Sequence, residues 1–76
     1  MSTIMLVDDS ATILLSISSI LTKAGYAVEK APNAEDALKK FQSGIKIDLL
    51  ITDLNMPGMN GIELIKQVRQ IPAYKF

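Results

Sequence analysis

Residues 47–53 read Ile-Asp-Leu-Leu-Ile-Thr-Asp, and this stretch decides the fold class. Its aliphatic residues follow one another with little polar alternation, which is the pattern of a β-strand buried on both faces. Residues 3–7, Thr-Ile-Met-Leu-Val, have the same character, and each run leads to an acid, Asp53 and Asp8 respectively. Strands covered on both faces belong to parallel sheets that carry helices on either side. The two runs therefore predict an α/β protein.

Helical patterns lie on both sides of a second, more exposed strand, which we expect at residues 26–30. Before it, apolar residues recur at helical spacing from residue 11 to residue 24, and Gly25 ends the helix. After it, Asn33 can cap a helix that has Asp36 at its third position. We expect the buried face of the first helix to consist of Ile13, Ile17, Ile20, Leu21 and Ala24.

A loop and a third helix follow the second buried strand. Pro-Gly and Asn-Gly pairs mark residues 54–61 as the loop, after which Asn60 and Glu63 form a capping pair for a helix through Gln70. The Asn-Gly pair can also mark a β-hairpin, but the apolar residues after it have helical rather than alternating spacing. Strands and helices therefore alternate, and this order requires parallel strands joined by right-handed crossovers.

Composition limits the classes of function. The 76 residues can form one domain at most, and 49% of them are hydrophobic while the formal net charge is +0. No basic stripe offers an electrostatic basis for binding nucleic acid. Cysteine and histidine are absent, which leaves oxygen ligands for any metal. No apolar run approaches the roughly 18 residues of a membrane span, and no signal peptide is recognisable, so we expect a cytoplasmic protein without membrane contact.

Three acids stand where the two buried strands end. If the first strand is central and the third is its neighbour, Asp8, Asp9 and Asp53 converge at the edge where such sheets bind ligands. Two carboxylates about 5 Å apart repel by roughly 3 kcal/mol at an effective dielectric constant near 20, so three of them need a counterion. Mg²⁺ suits a site with few carboxylates and an incoming phosphate. Asp53, held by a strand and followed by a loop, is the best candidate for a nucleophile.

Each acid taken alone has a plainer explanation. Asp8, Asp9 or Ser10 can simply cap the first helix, because Asp and Ser are preferred at that position. Asp53 can be an ordinary solvated residue at the start of a loop. A magnesium-dependent phosphohydrolase with an aspartate nucleophile would need a second acid two residues after Asp53, where Asn55 stands. The combination of three acids at two strand ends favours a phosphoacceptor site.

Three segments of the chain match a known pattern. They are Asp8-Asp9-Ser10 after an apolar strand, Ala24-Gly25-Tyr26 after the first helix, and residues 53–61, Asp-Leu-Asn-Met-Pro-Gly-Met-Asn-Gly. With them the chain resembles response-regulator receiver domains of the chemotaxis-regulator type. The resemblance implies a flavodoxin-like fold in which βαβαβα elements build three parallel strands in the order 2-1-3.

The resemblance also implies roles for individual residues. Asp53 is then the phosphorylated residue, and Asp9, Asp53 and the backbone carbonyl of Asn55 are ligands of Mg²⁺, with Asp8 as the further acid of the pocket. The phosphodonor implied for the parent domain is a phosphohistidine on a sensor histidine kinase. Such a chain is a signalling module of two-component systems rather than an enzyme.

The chain also departs from the family pattern. Receiver domains have five strands and five helices, whereas residues 1–76 supply the first three βα units, so the resemblance implies a truncated receiver domain. A Ser or Thr after the fourth strand and a Lys after the fifth have no counterpart here, and we expect impaired signalling. The alternative function is a half-domain that associates with itself. An open third-strand edge predicts a homodimer with an apolar seam formed by Ile47, Leu49, Leu50 and Ile51, with Tyr74 and Phe76 near it. The two copies would either pair their third strands in antiparallel orientation or exchange elements.

Overall fold

The computed structural model describes residues 2–74, which form a parallel sheet with helices on both faces. The strands are β1 (Thr3–Val7), β2 (Ala27–Ala31) and β3 (Leu49–Thr52). The helices are α1 (Ala11–Lys23), α2 (Ala34–Gln42) and α3 (Gly61–Val68), and a 3-10 turn follows at Pro72–Tyr74. The longest helix has 13 residues, and none within residues 2–74 has the length and apolar character needed to cross a membrane.

The sheet has the expected topology. Its strand order is β2-β1-β3 with both pairings parallel, which confirms the predicted order 2-1-3. Hydrogen bonds continue past the ends of the strands, because the Asp8 amide donates to the Ala31 carbonyl (3.2 Å) and the Asp53 amide donates to the Val7 carbonyl (2.9 Å). The main chain of both acids is therefore held by the sheet.

β1 is buried on both faces, which explains its lack of polar alternation. Met5 and Val7 face α2 and α3 and belong to the main core, whereas Ile4 and Leu6 point to the face that α1 covers. The main core also contains Ala31, Ala34, Ala37, Phe41, Ile47, Met56, Leu64, Val68 and Tyr74.

The element boundaries differ from the predicted ones by one or two residues. β2 begins at Ala27 rather than Tyr26, because the Tyr26 amide donates to the Leu21 carbonyl and so belongs to the turn that ends α1. β3 begins at Leu49 rather than Ile47, although pairing with β1 already starts at Asp48, whose amide donates to the Thr3 carbonyl at 2.8 Å.

The buried face of α1 differs more. Leu14 and Ser18 are its buried residues, whereas Ile13 and Ile20, which we expected to be buried, are 43% and 66% exposed. Apolar residues lie on most sides of this helix, so spacing alone does not fix which side meets the sheet. The buried Ser18 is not a defect, because its hydroxyl donates to the Leu15 carbonyl at 3.2 Å.

Two of the four residues expected at an exposed β3 edge are not exposed. Ile47 is only 6% exposed, and Leu50 is half-buried and packs on the core. Leu49 and Ile51 point to the other face, in register with Ile4 and Leu6, and they are exposed because α1 packs on β1 and β2. The prediction that this strand is buried on both faces is therefore wrong. The exposed part of the predicted seam is therefore narrower than expected and consists of Leu49 and Ile51, on the α1 side.

Tyr74 lies inside the molecule rather than at a seam. It is 8% exposed, and its ring packs edge-on against Phe41 with a centroid distance of 5.0 Å. Its hydroxyl donates to the Ile45 carbonyl and accepts a hydrogen bond from the Ile47 amide at 3.2 Å. Tyr74 therefore ties the 3-10 turn to the segment that leads into β3. Phe76, also predicted near a seam, lies outside the described residues.

Candidate functional site

Asp8, Asp9 and Asp53 meet at the carboxyl edge of the sheet. One carboxylate oxygen from each lies within 4.8 Å of the other two. Asp8 and Asp9 follow β1, and Asp53 follows β3, so the parallel pairing of adjacent strands brings them to the same edge. The convergence predicted from the sequence is therefore present.

Local hydrogen bonds orient two of the three carboxylates. The Ser10 amide donates to Asp8 Oδ1 at 2.9 Å, and the Asn55 amide donates to Asp53 Oδ1 at 3.3 Å. Each of these bonds uses one carboxylate oxygen and leaves the other for a ligand. Asp8 and Asp53 are half-buried, and Asp9 is exposed.

Ser10, and not Asp8 or Asp9, is the residue that caps the first helix. Its side chain accepts a hydrogen bond from the Ile13 amide at 3.3 Å, and it is the N-cap residue of α1. Asp9 is therefore not needed to start the helix. The Asp8 carboxylate accepts a hydrogen bond from the amide of Ser10, which precedes the first residue of the helix.

Among the residues that the structure describes, no basic side chain is in ion-pair contact with the three acids. Within residues 2–74, the salt bridge found joins Lys40 to Glu29 at 3.3 Å and does not involve the pocket. Carboxylates this close repel one another by about 3 kcal/mol per pair at an effective dielectric constant near 20. The all-oxygen donor set suits a hard divalent cation, so the residues present fit Mg²⁺.

The loop after Asp53 closes tightly onto the start of α3. The Gly61 amide donates to the Leu54 carbonyl at 3.3 Å, and Asn60 caps the helix by accepting from the Glu63 amide at 2.9 Å. A Cβ atom on Gly61 would lie 2.3 Å from the Asp53 carbonyl oxygen. Only glycine leaves room for α3 to begin directly against the main chain of Asp53.

One contact to this loop had no signal in the sequence. Glu35, in the first turn of α2, accepts a hydrogen bond from the Met59 amide through its Oε2 atom at 3.3 Å. The two residues are 24 positions apart, and an acid in the first turn of a helix is already explained by the helix dipole. No local pattern therefore connects Glu35 with the loop.

Known proteins are similar to this chain in sequence and in fold. The family described as "Response regulator receiver domain" matches residues 4–75. The chemotaxis protein CheY of Thermotoga maritima is 39% identical over 69 residues, which cover 90% of this chain and 57% of that protein. The structure of chemotaxis protein CheY4 of Vibrio cholerae is similar with a TM-score of 0.95 at 43% identity, covering 100% of this chain and 62% of that one.

A third relative, the response regulator TrrA of Thermotoga maritima, has been solved in two complexes. The complex with Mg²⁺-BeF has a TM-score of 0.88 at 40% identity, covering 95% of this chain and 62% of that one. The complex with the histidine kinase ThkA has a TM-score of 0.86 at 41% identity, covering 93% and 60%. This chain spans less than two thirds of the length of each of these relatives. Because the family match extends over residues 4–75, the chain belongs to the response regulator receiver domain family.

Proposed function

We propose that this chain is a phosphoacceptor module of two-component signalling that takes a phosphoryl group on Asp53 in the presence of Mg²⁺. The observation that carries the proposal is the convergence of Asp8, Asp9 and Asp53 within 4.8 Å in a chain of the receiver family. In the reaction, an Asp53 carboxylate oxygen forms a bond to phosphorus while the bond from phosphorus to the donor breaks. The donor group leaves with the bonding electron pair, and the product is an acyl phosphate.

The geometry around Asp53 suits a nucleophile. Its amide donates to the Val7 carbonyl, and one carboxylate oxygen accepts from the Asn55 amide, which leaves the other oxygen for attack. A half-buried carboxylate keeps access to a donor while its backbone stays fixed by the sheet. This arrangement reduces the motion that must be lost before attack.

Asp9, Asp53 and the backbone carbonyl of Asn55 would hold the Mg²⁺ ion, with Asp8 adding negative charge beside them. Bound there, the ion would offset the repulsion between the acidic pocket and an anionic phosphodonor. Support for this part of the proposal comes from the all-oxygen donor set and from TrrA, which was solved with Mg²⁺-BeF.

The proposed phosphodonor is a phosphohistidine on a sensor histidine kinase. The similarity to TrrA, which was solved in complex with the histidine kinase ThkA, supports this partner class. We also propose that the 76-residue chain by itself accepts phosphate slowly, because the hydroxyl and lysine that receiver domains use after their fourth and fifth strands have no counterpart in it.

A small phosphodonor tests the acceptor residue. We expect acetyl phosphate with Mg²⁺ to modify the chain slowly and partially, with the label mapped to Asp53 by mass spectrometry after borohydride trapping. Asp53→Asn should remove the label, and Glu63→Gln, an exposed acid in α3, should keep it. A label that persists in Asp53→Asn would exclude this residue as the acceptor. Rapid, complete labelling would contradict the slow reaction.

Magnesium binding tests the pocket independently of phosphorylation. We expect Asp9→Ala and Asp53→Ala each to raise the Mg²⁺ dissociation constant at least about tenfold, since even outer partners of metal sites contribute that much. The measurement is an NMR titration that follows the Asn55 and Ser10 amides. Glu63→Ala, which also removes one negative charge, is the control. Equal titration midpoints in all four proteins would remove the acidic pocket from the proposal.

A second proposal concerns assembly. β3 has no strand on its outer side within residues 2–74, and Leu49 and Ile51 lie exposed beside that edge. An unpaired strand edge with apolar neighbours is a template for another chain. We propose that two copies of this chain associate through β3.

A further inference from the structure

The start of α2 contacts the tip of the loop that follows Asp53. Glu35 Oε2 accepts a hydrogen bond from the Met59 amide at 3.3 Å. The same oxygen lies 3.1 Å from the position that a Cβ atom would take on Gly58, whose φ of +76° also favours glycine. Two consecutive loop residues therefore lie against one carboxylate.

The rest of this loop is held by its own hydrogen bonds and by packing on the core. Near its start, the Asn55 amide bonds to Asp53 Oδ1, and the Gly61 amide bonds to the Leu54 carbonyl. Met56 is buried in the core. The bond to Glu35 differs from these contacts, since it joins the main chain of the loop tip to a different helix. The Met59 side chain packs against the core, and the bond to Glu35 adds a contact from α2 that holds the Met59 main chain.

We propose that Glu35 is a positioning residue for the phosphoacceptor site. Its carboxylate holds the main chain at Met59 and thereby limits the orientations of the peptide at Asn55, whose carbonyl is the proposed Mg²⁺ ligand. This inference rests on the proposed function, and it assigns to α2 a part in the site that its sequence does not indicate. A side chain at Gly58 would strain the backbone and would also require the Glu35 carboxylate to shift by a few tenths of an ångström.

The competing explanation is that Glu35 only stabilises α2, as an acid in the first turn of a helix. Matched variants separate the two. Glu35→Ala removes both the charge and the acceptor, whereas Glu35→Gln removes the charge but keeps an oxygen that can accept from the Met59 amide. Glu63→Ala removes the equivalent first-turn acid of α3. If Glu35 only stabilises the helix through its charge, Glu35→Gln and Glu35→Ala should have equal effects. If Glu35 positions the loop through its acceptor oxygen, Glu35→Gln should have the smaller effect.

The rate of amide hydrogen exchange at Met59 in the metal-free protein directly measures the hydrogen bond between Met59 and Glu35. We expect Glu35→Ala to speed this exchange about threefold to tenfold, as expected for losing one hydrogen bond at an exposed site. Glu35→Gln should restore most of the protection, and Glu63→Ala should leave it unchanged. In the Mg²⁺ titration, the dissociation constant should rise about threefold in Glu35→Ala and less in Glu35→Gln.

A double substitution tests whether Gly58 and Glu35 act together. Gly58→Ala in the wild-type background adds backbone strain and places a methyl group 3.1 Å from the Glu35 oxygen that accepts from the Met59 amide, so that this oxygen must shift. In the Glu35→Ala background only the strain remains. We therefore expect Gly58→Ala to speed Met59 exchange more in the wild type than in Glu35→Ala. Equal increases in the two backgrounds would show that the residues act independently and would count against the inference.

The outcomes also separate this inference from the proposed function. Unchanged Met59 exchange in Glu35→Ala would overturn the inference even if Asp53 is phosphorylated. Faster exchange with an unchanged Mg²⁺ dissociation constant, or equal effects of Glu35→Gln and Glu35→Ala, would reduce Glu35 to a structural role. If the wild-type chain bound no Mg²⁺, the magnesium part of the proposed function and the positioning role would both fail. The exchange rate would still establish the contact.

Discussion

Replacing Gly61 with alanine is expected to destabilise the chain by about 1–3 kcal/mol, the usual cost of forcing an extra methyl group into a packed site. The Cβ atom would lie 2.3 Å from the Asp53 carbonyl oxygen, 3.1 Å from the Asp53 carbonyl carbon and 3.2 Å from Leu54 Cα. All three are main-chain atoms, so no side-chain rotation can relieve the clash. The start of α3 and the main chain of Asp53 must move apart.

Gly61→Ala should lower the stability of the whole chain and also change the structure around Asp53. For a domain of this size, 1 kcal/mol corresponds to about 4–8 °C in the melting temperature, so we expect Gly61→Ala to melt roughly 10 °C lower. The backbone shifts of Asp53 and Leu54 should change, and Mg²⁺ binding should weaken with them. Circular dichroism and NMR spectra measure these effects.

Gly44→Ala is the matched control for this prediction. Gly44 has a φ of +92°, but nothing lies within 4 Å of the position that a Cβ atom would take there, so alanine adds strain without a clash. It should lower the melting temperature but leave the Asp53 and Leu54 signals and the Mg²⁺ dissociation constant unchanged. If Gly61→Ala kept the wild-type melting temperature and spectrum, the close approach of α3 to Asp53 would be wrong.

The sequence predicted the sheet and the acidic edge because both depend on strong local patterns. β1 and β3 are runs of aliphatic residues without alternation, and each leads directly to an acid. The caps at Asn33 and Asn60 were equally local, since a cap needs only the residue and the amide three positions later. Once the strand order is known, parallel pairing brings the acids to one edge.

The parts that sequence reasoning missed depend on contacts between distant residues. α1 has apolar side chains on most of its sides, so its orientation is decided by the surface it meets and not by its own spacing. Ile47 is buried because it packs in the core, which includes Tyr74 from near the end of the chain, and its amide donates to the Tyr74 hydroxyl. The bond between Glu35 and Met59 has the same origin, since it joins two segments that only the fold brings together.

The second large effect is expected at the outer edge of β3. Two apolar grooves flank this strand, one of about 360 Å³ beside α3 and one of about 340 Å³ beside α1, and Leu49 lines both. A second copy whose β3 pairs with the first in antiparallel orientation would extend the sheet and satisfy the free main-chain groups. A two-fold axis perpendicular to the sheet keeps the α1 faces on one side. Leu49 and Ile51 of both copies would then form one apolar strip.

Reburial of these side chains can sustain such a dimer. Each aliphatic side chain removed from water contributes about 1.5–3 kcal/mol, and the two-fold axis doubles every contribution. Leu49 is the cleanest position to test, because it is 53% exposed and its replacement leaves the core intact, whereas Leu50 packs on the core. Leu49→Lys removes two apolar side chains from the proposed seam and places two positive charges there.

We expect Leu49→Lys to raise the dimer dissociation constant at least about a hundredfold, which corresponds to losing about 3 kcal/mol. Sedimentation equilibrium measures this change, and circular dichroism verifies that the variant is folded. Ile62→Lys is the matched control, since Ile62 is also 53% exposed but lies on α3 and lines neither groove. It should dimerise like the wild type.

A wild-type chain that sediments as a folded monomer at high concentration would refute the dimer. Equal weakening of the dimer by Leu49→Lys and Ile62→Lys would show that association does not use β3. Because Leu49 is the first residue of β3 whereas Asp53 follows its last residue, Leu49→Lys should retain the Mg²⁺ response, which separates assembly from phosphoacceptor function.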